Sequence, residues 1–146
     1  MSAGFRWGLL GAGEVARNFG LSVALLPDHS VAAVASRSAA RAEATAAQLG
    51  EARAVNDYAD LVVDPELDAI YVATPAALHR DHVALALEAG KPVLCEKPLA
   101  QTGAEARTVL EAERTAGRRL VQVGFMRHFD PQHLAVREAI ESGAIG

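Results

Sequence analysis

The sequence predicts a doubly wound α/β domain, a parallel sheet of about six strands with helices on both faces. Short apolar runs alternate with stretches of helical period without a break from residue 5 to residue 124. Several of those runs are continuously apolar, as strands become when helices cover both faces of a parallel sheet. The length agrees, since 146 residues make one domain, or one domain with a short appendage.

Taken in order, Phe5–Leu10 is an apolar strand that runs directly into a glycine-rich turn, and Glu14–Leu26 resumes from that turn with helical spacing. Val31–Ser36 is the next apolar run, followed by the helix Ala39–Leu49, which Gly50 closes. Ala52–Val55, the short helix Tyr58–Val63 and the strand Ala69–Ala73 follow. Ala77–Ala89 is closed by Gly90, Pro92–Cys95 is a strand, Gly103–Ala116 is closed by Gly117, and Leu120–Gly124 is the sixth strand. Right-handed crossovers leave such a series little topological freedom. After Gly124 the rhythm changes: Phe125–Asp130 leads to a helix-like Gln132–Ser142 and a short glycine-containing end. The expected division is a nucleotide domain over residues 1–124 and, over 125–146, the start of a connection into a second domain that this sequence lacks.

Composition narrows the function classes. Apolar residues make up 51% and charged residues 22%, enough to bury a core and too ordered a balance for a disordered chain. A net charge of -4 without any Lys/Arg cluster disfavours nucleic acid. No run of roughly 18 apolar residues exists to span a membrane, and Met1 to Arg6 carries no export signal. The lone Cys95 fits a reducing compartment, so a cytoplasmic protein is expected.

Gly11-Ala12-Gly13-Glu14-Val15-Ala16 follows a strand and opens a helix, the context that the G-x-G-x-x-G/A fingerprint of dinucleotide-binding Rossmann domains requires. Gly11 permits the tight turn, Gly13 lets a pyrophosphate approach the backbone, and Ala16 lets the helix lie against the strand. Amides from Gly13 through Glu14 to Val15 then face the phosphates at the positive end of the helix dipole. A bare strand-to-helix turn is the competing reading. NAD-preferring sheets place an acid roughly 20 residues further on. Here that place holds Ser36-Arg37-Ser38, and no carboxylate occurs between Asp28 and Glu43. Arg37 can pair with a 2′-phosphate and lie on the adenine, with Ser36 and Ser38 as hydroxyl donors, so NADP(H) is the preferred cofactor and NAD(H) the alternative. Arg41, one turn on, adds a second charge or belongs to a solvated helix face.

The fourth and fifth strands end in Ala73-Thr74-Pro75 and Cys95-Glu96-Lys97-Pro98 at the carboxyl edge, where open α/β sheets bind ligands. The proline after Lys97 keeps that residue extended. Its amine can therefore project into the cleft and favour an oxyanion developing on a substrate hydroxyl or carbonyl. A surface lysine paired with Glu96 fits the spacing equally well.

Arg6-Trp7-Gly8-Leu9-Leu10-Gly11-Ala12-Gly13, Ala35-Ser36-Arg37-Ser38, Tyr71-Val72-Ala73-Thr74-Pro75 with His79, and Ala89 through Ala100 together closely resemble the glucose-fructose oxidoreductase, inositol dehydrogenase and rhizopine catabolism family. The resemblance spans essentially the whole chain. It implies an NAD(P)-dependent oxidoreductase of sugars, cyclitols or related polyols, in which an antiparallel-sheet α+β domain, absent here, carries much of the substrate site. It makes Lys97 the lysine that touches the nicotinamide ribose and the reacting hydroxyl, places Glu96 and Thr74 along the cofactor, and marks Lys97–Pro98 as a candidate cis peptide. Gly124 through Pro131, with Arg127, resembles the segment that passes the nicotinamide, although His128 stands where inositol dehydrogenases have arginine. The family's second catalytic group, usually a histidine of the second domain, has no counterpart here, so this chain alone is expected to be inactive. The full-length protein would be free to oligomerise.

Other residues carry less. His128, Asp130 and His133 are close in sequence but need not converge, and no metal is expected. Cys95 reads as an inert core thiol. His79 either approaches the nicotinamide edge, with Pro75 beside it, or decorates a helix. A non-catalytic dinucleotide-binding or regulatory module is the competing functional reading.

Overall fold

The computed structural model describes residues 4–145; residues 1–3 and 146, which the expected domain bounds include, lie outside the described residues. The elements run β1 (Phe5–Leu10), α1 (Glu14–Val23), β2 (His29–Ala35), α2 (Ala39–Ala46), β3 (Arg53–Val55), α3 (Tyr58–Val62), β4 (Ala69–Val72), α4 (His79–Glu88), β5 (Val93–Cys95), α5 (Gly103–Thr115), β6 (Val121–Val123) and α6 (Pro131–Glu141). The strands form one sheet in the order β3-β2-β1-β4-β5-β6, and every pairing is parallel. The expected doubly wound sheet is therefore the observed one. Its order reverses between β1 and β4, which places the ligand crevice at their carboxyl ends.

Strand alternation divides the core in two. Leu9, Val34 and Tyr71 point to one face, where Ala16 and Val23 of α1 and Ala46 of α2 cover them. Leu10, Ala35, Ile70, Val72 and Cys95 point to the other, beneath Leu61 of α3, Val83 and Leu87 of α4, and Val109 of α5. Burial pushes the Cys95 thiol up to about 12, as expected of a core residue.

Several element ends differ from the sequence reading, each for a local reason. The helix expected to reach Leu26 stops at Val23, because the amides of Leu25 and Leu26 take i→i+3 bonds and Pro27 ends the coil. Asp28 then sits at φ 61° before β2 begins at His29, two residues earlier than expected. The helix expected to reach Leu49 ends at Ala46 in a similarly tightened turn. The helix expected from Ala77 opens instead with a 3-10 turn at Ala76–Leu78.

Beyond β6 the chain makes a 3-10 turn, Met126–Phe129, and enters α6 on Pro131. Asp130 caps that helix, accepting from the Gln132 amide at 2.9 Å. No side chain of α6 is buried, and Phe129, Leu134, Val136 and Ile140 are all exposed. Among the described residues no helix is long and apolar enough to cross a membrane.

Candidate functional site

The glycine-rich turn caps the crevice. Gly11 has φ +111°, and an added Cβ would lie 2.7 Å from the Ala73 carbonyl oxygen, so only glycine serves there. Its amide donates to Ala35 at 2.9 Å, tying the turn to β2. Gly13 is the N-cap of α1, and a Cβ added to it meets nothing within 4 Å. Open space thus lies in front of the cap, where the first amides of α1 have no intrahelical acceptor. Ala16 is fully buried against the sheet, whereas Glu14 and Val15 stand exposed on the helix's outer side. This is the cradle that a pyrophosphate requires, and any side chain at Gly13 would fill it.

At the tip of β2, Ser36 is nearly buried and its hydroxyl accepts from the Ser38 amide at 3.2 Å. Ser38 caps α2 by accepting from the Arg41 amide at 3.4 Å. The three residues therefore make a tight, self-braced corner that presents Arg37 and Arg41. Both are exposed, and among the described residues neither has a carboxylate within 4 Å. They line a cavity of about 360 Å³ together with Gly13, Ser36, Tyr58 and Thr74. A larger apolar groove of about 480 Å³ lies between Phe5, Ala69 and Leu120 at the amino edge. That is the edge opposite to the one where open α/β sheets bind their ligands.

Two residues of this half escaped the sequence reading. Tyr58 opens α3 and reaches the cavity, its ring 4.4 Å from that of His82. An aromatic directly after the Asp57 cap was the available signal. Thr45 of α2 donates to the Ala12 carbonyl at 3.3 Å and braces the turn; nothing local announces it.

The other half is built from the tips of β4 and β5. Thr74 is buried, and its hydroxyl lies 2.8 Å from His82 Nδ1. Burial holds the His82 ring below its ordinary range, against a smaller upward pull from Asp81. His79, expected along the cofactor, has its ring inside the protein: it is 2% exposed, with Nε2 2.7 Å from the Thr74 carbonyl and Nδ1 2.6 Å from the Pro98 carbonyl. Both ring nitrogens are thus occupied by backbone, and His79 ties the two strand tips together. Pro75, by contrast, lines the cavity that Arg37 and Tyr58 also face.

The Lys97–Pro98 peptide is cis. Glu96 accepts from the Tyr71 hydroxyl at 2.7 Å through Oε1 and from the Lys97 amide at 3.3 Å through Oε2. The Glu96–Lys97 pair of the competing reading is not formed: Lys97 is exposed and, among the described residues, has no carboxylate within 4 Å of its amine. Arg127 lies in the turn after β6, bonded to Asp130 at 2.7 Å, and this bond holds the Asp130 carboxyl below its usual range. His133 reaches the same carboxylate at 3.5 Å, so the acid serves as helix cap and ion-pair partner.

Comparison with known proteins agrees with this geometry. The family model described as an oxidoreductase family with an NAD-binding Rossmann fold matches residues 5–125. An inositol 2-dehydrogenase from Acidothermus cellulolyticus is 42% identical over 142 residues, covering 97% of this chain and 42% of that protein. A crystal structure of myo-inositol dehydrogenase from Lactobacillus casei in complex with NAD(H) and myo-inositol superimposes with a TM-score of 0.91 at 31% identity, over 98% of this chain and 43% of that one. A 3-ketoreductase from Actinomadura kijaniata in complex with NADP and TDP-benzene superimposes with a TM-score of 0.88 at 33% identity, over 98% of this chain and 44% of that one. The chain thus spans less than half the length of the relatives it matches.

Proposed function

The chain belongs to the oxidoreductase family with the NAD-binding Rossmann fold, and from that premise we propose that it is the cofactor-binding part of an NADP(H)-dependent enzyme acting on a sugar, cyclitol or related polyol. The observation that carries the cofactor preference is the β2 tip. Ser36, Arg37 and Ser38 stand where a ribose-binding carboxylate would be, and among the described residues no carboxylate pairs with Arg37 or Arg41 at the cavity. The polyol class rests on the relatives, since nearly the whole of this chain resembles 42% of the length of the inositol 2-dehydrogenase.

Each half of the site has its own task in this reading. Gly11 and Gly13 with the first amides of α1 hold the pyrophosphate, and Arg37 and Arg41 hold the 2′-phosphate by charge-assisted bonds. Tyr58 and Arg37 bound the adenine. The nicotinamide, when bound, supplies or takes up the hydride. Lys97 donates a hydrogen bond to the reacting oxygen and stabilises negative charge developing there. Thr74, Pro75 and Glu96 wall the nicotinamide half, and Arg127 lies in the 3-10 turn that follows the last strand. Residues 125–146 begin a connection to a substrate domain. Without that domain one lysine can neither orient a polyhydroxylated substrate nor exclude water.

Fluorescence titration of the chain with NADPH and with NADH tests the reading. Tighter binding of NADPH supports it, and equal or reversed affinities would overturn the cofactor assignment. Failure to bind either dinucleotide would overturn the function itself.

A further inference from the structure

Glu96 walls the nicotinamide half in the reading above, but its bond to Tyr71 is given no task there, and the surroundings of that bond make it more than packing. Tyr71 pairs with Leu94 across β4 and β5. Glu96, two residues beyond Leu94, emerges on the same face of the sheet, so the phenol of one strand reaches the carboxylate of the next. Tyr71 is 3% exposed, and its ring stacks on Phe19 of α1 at 3.7 Å and 13°. Phe19 meets Trp7 edge-on in turn. The ring therefore cannot move without disturbing the helix that carries the glycine-rich turn. Burial, and after it the Glu96 carboxylate, raises the Tyr71 phenol far above its ordinary value, so its hydroxyl remains the donor. On the opposite side Gly124 leaves room: even an added Cβ would stand 3.5 Å from Glu96 Oε1.

The chain has two lysines, Lys91 and Lys97. Lys91 donates to the carbonyls of Asp64 and Leu67 at 2.8 and 2.6 Å and serves the fold. Lys97 has no such partner among the described residues, and the nearest acid in sequence, Glu96, accepts from the Tyr71 hydroxyl through Oε1 and from the Lys97 backbone amide through Oε2 rather than from the Lys97 amine.

We propose that Tyr71 is a positioning residue for Lys97: by holding Glu96 against the sheet it keeps that carboxylate from pairing with the neighbouring amine, which stays available to a reacting oxygen. This deepens the reading of Lys97 as the hydrogen-bond donor of the site. Removing the phenol hydroxyl frees Oε1, and the carboxylate then turns to the amine beside it. A partly exposed pair of this kind lowers the reactivity of the amine by about two- to five-fold.

The test is competitive labelling of the folded chain with a trace of an N-hydroxysuccinimide acetate, reading the ratio of acetylation at Lys97 to that at Lys91 by peptide mass spectrometry. In Tyr71→Phe, which keeps the ring stack, the ratio should fall two- to five-fold. Adding Glu96→Gln to that variant should restore it, since an amide does not pair with the amine; a purely structural tyrosine would show no such rescue. An unchanged ratio in Tyr71→Phe, or a fall that Glu96→Gln does not reverse, overturns the proposal. Should Tyr71→Phe lose its circular-dichroism signature of folding, Glu96→Asp replaces it, because its shorter carboxylate cannot reach the phenol; the same fall is expected, and no fall overturns the proposal. NADPH titration of the unaltered chain decides the cofactor reading separately, so failure there leaves the labelling result interpretable.

Discussion

Replacing Arg37 by alanine should remove most of the chain's preference for NADPH over NADH. The structure sets the size of the effect. Arg37 is exposed on a corner braced by Ser36 and Ser38, and no carboxylate competes for it among the described residues. A charge-assisted bond to a phosphate contributes about 1.5–3 kcal/mol, and solvent screening at an exposed guanidinium keeps the value near the lower end. A loss of about 1.5 kcal/mol weakens NADPH roughly tenfold. NADH, which lacks the phosphate, should be changed by less than about twofold, and Arg41 should retain part of the remaining discrimination. Ser36→Asp supplies the complementary perturbation, placing a carboxylate where ribose hydroxyls are bound and turning the preference toward NADH. Calorimetric titration of both cofactors into all three proteins at one fixed salt concentration measures this. A preference for NADH in the unaltered chain would refute the reasoning, as would equal weakening of both cofactors in Arg37→Ala.

The two glycines of the turn should fail differently. Gly13→Val should abolish binding of either cofactor with little loss of thermal stability, because its side chain enters open space. Gly11→Ala should destabilise the fold by about 1–3 kcal/mol, because φ +111° and the Ala73 carbonyl both oppose a Cβ; urea unfolding of the two variants separates these outcomes. His82 gives a pH dependence. Its folded-state pKa lies below the ordinary 6.5, chiefly through burial, so the unfolded chain binds a proton that the folded one refuses. Stability from this residue is complete above that ordinary value and is lost as pH falls through it toward the folded pKa. His82→Asn should flatten the acid side of a Tm profile, and an unchanged slope would show that His82 is not responsible. Finally, the 146-residue chain should not reduce NADP⁺ with glucose, xylose or myo-inositol even at high concentration; Lys97-dependent turnover would show that a substrate domain is dispensable.

The features legible in the sequence are those whose chemistry is local. Gly11 and Gly13 declare a backbone need at two positions of one turn, on either side of Ala12, and the β2 tip is read from the residues that occupy it. The sheet followed from apolar runs too continuous for any but a doubly covered strand, whereas the handedness of crossovers only narrowed the strand order that the structure shows. Element ends were less legible, because Pro27 and Asp28 act through a tightened turn that helical periodicity does not register. His79 reads in the sequence either as approaching the nicotinamide edge from the first turn of its helix or as decorating that helix, yet it follows the 3-10 turn at Ala76–Leu78 and its ring enters the protein between two carbonyls.

The remaining contacts were hidden for a single physical reason. Tyr71 and Glu96 are 25 residues apart, Thr45 and Ala12 33 apart, and only strand register and helix docking bring them together. Such pairs cannot be inferred from residue type, since a tyrosine inside an apolar strand reads as core and here is core. Its hydroxyl nevertheless leaves the core at the carboxyl edge, where every crossover of this fold delivers a loop. A parallel sheet therefore gives its buried residues access to the site at one edge only. Two side-chain bonds join neighbouring strand tips at that edge beside Lys97: Tyr71 reaching Glu96, and His79 bridging Thr74 to Pro98.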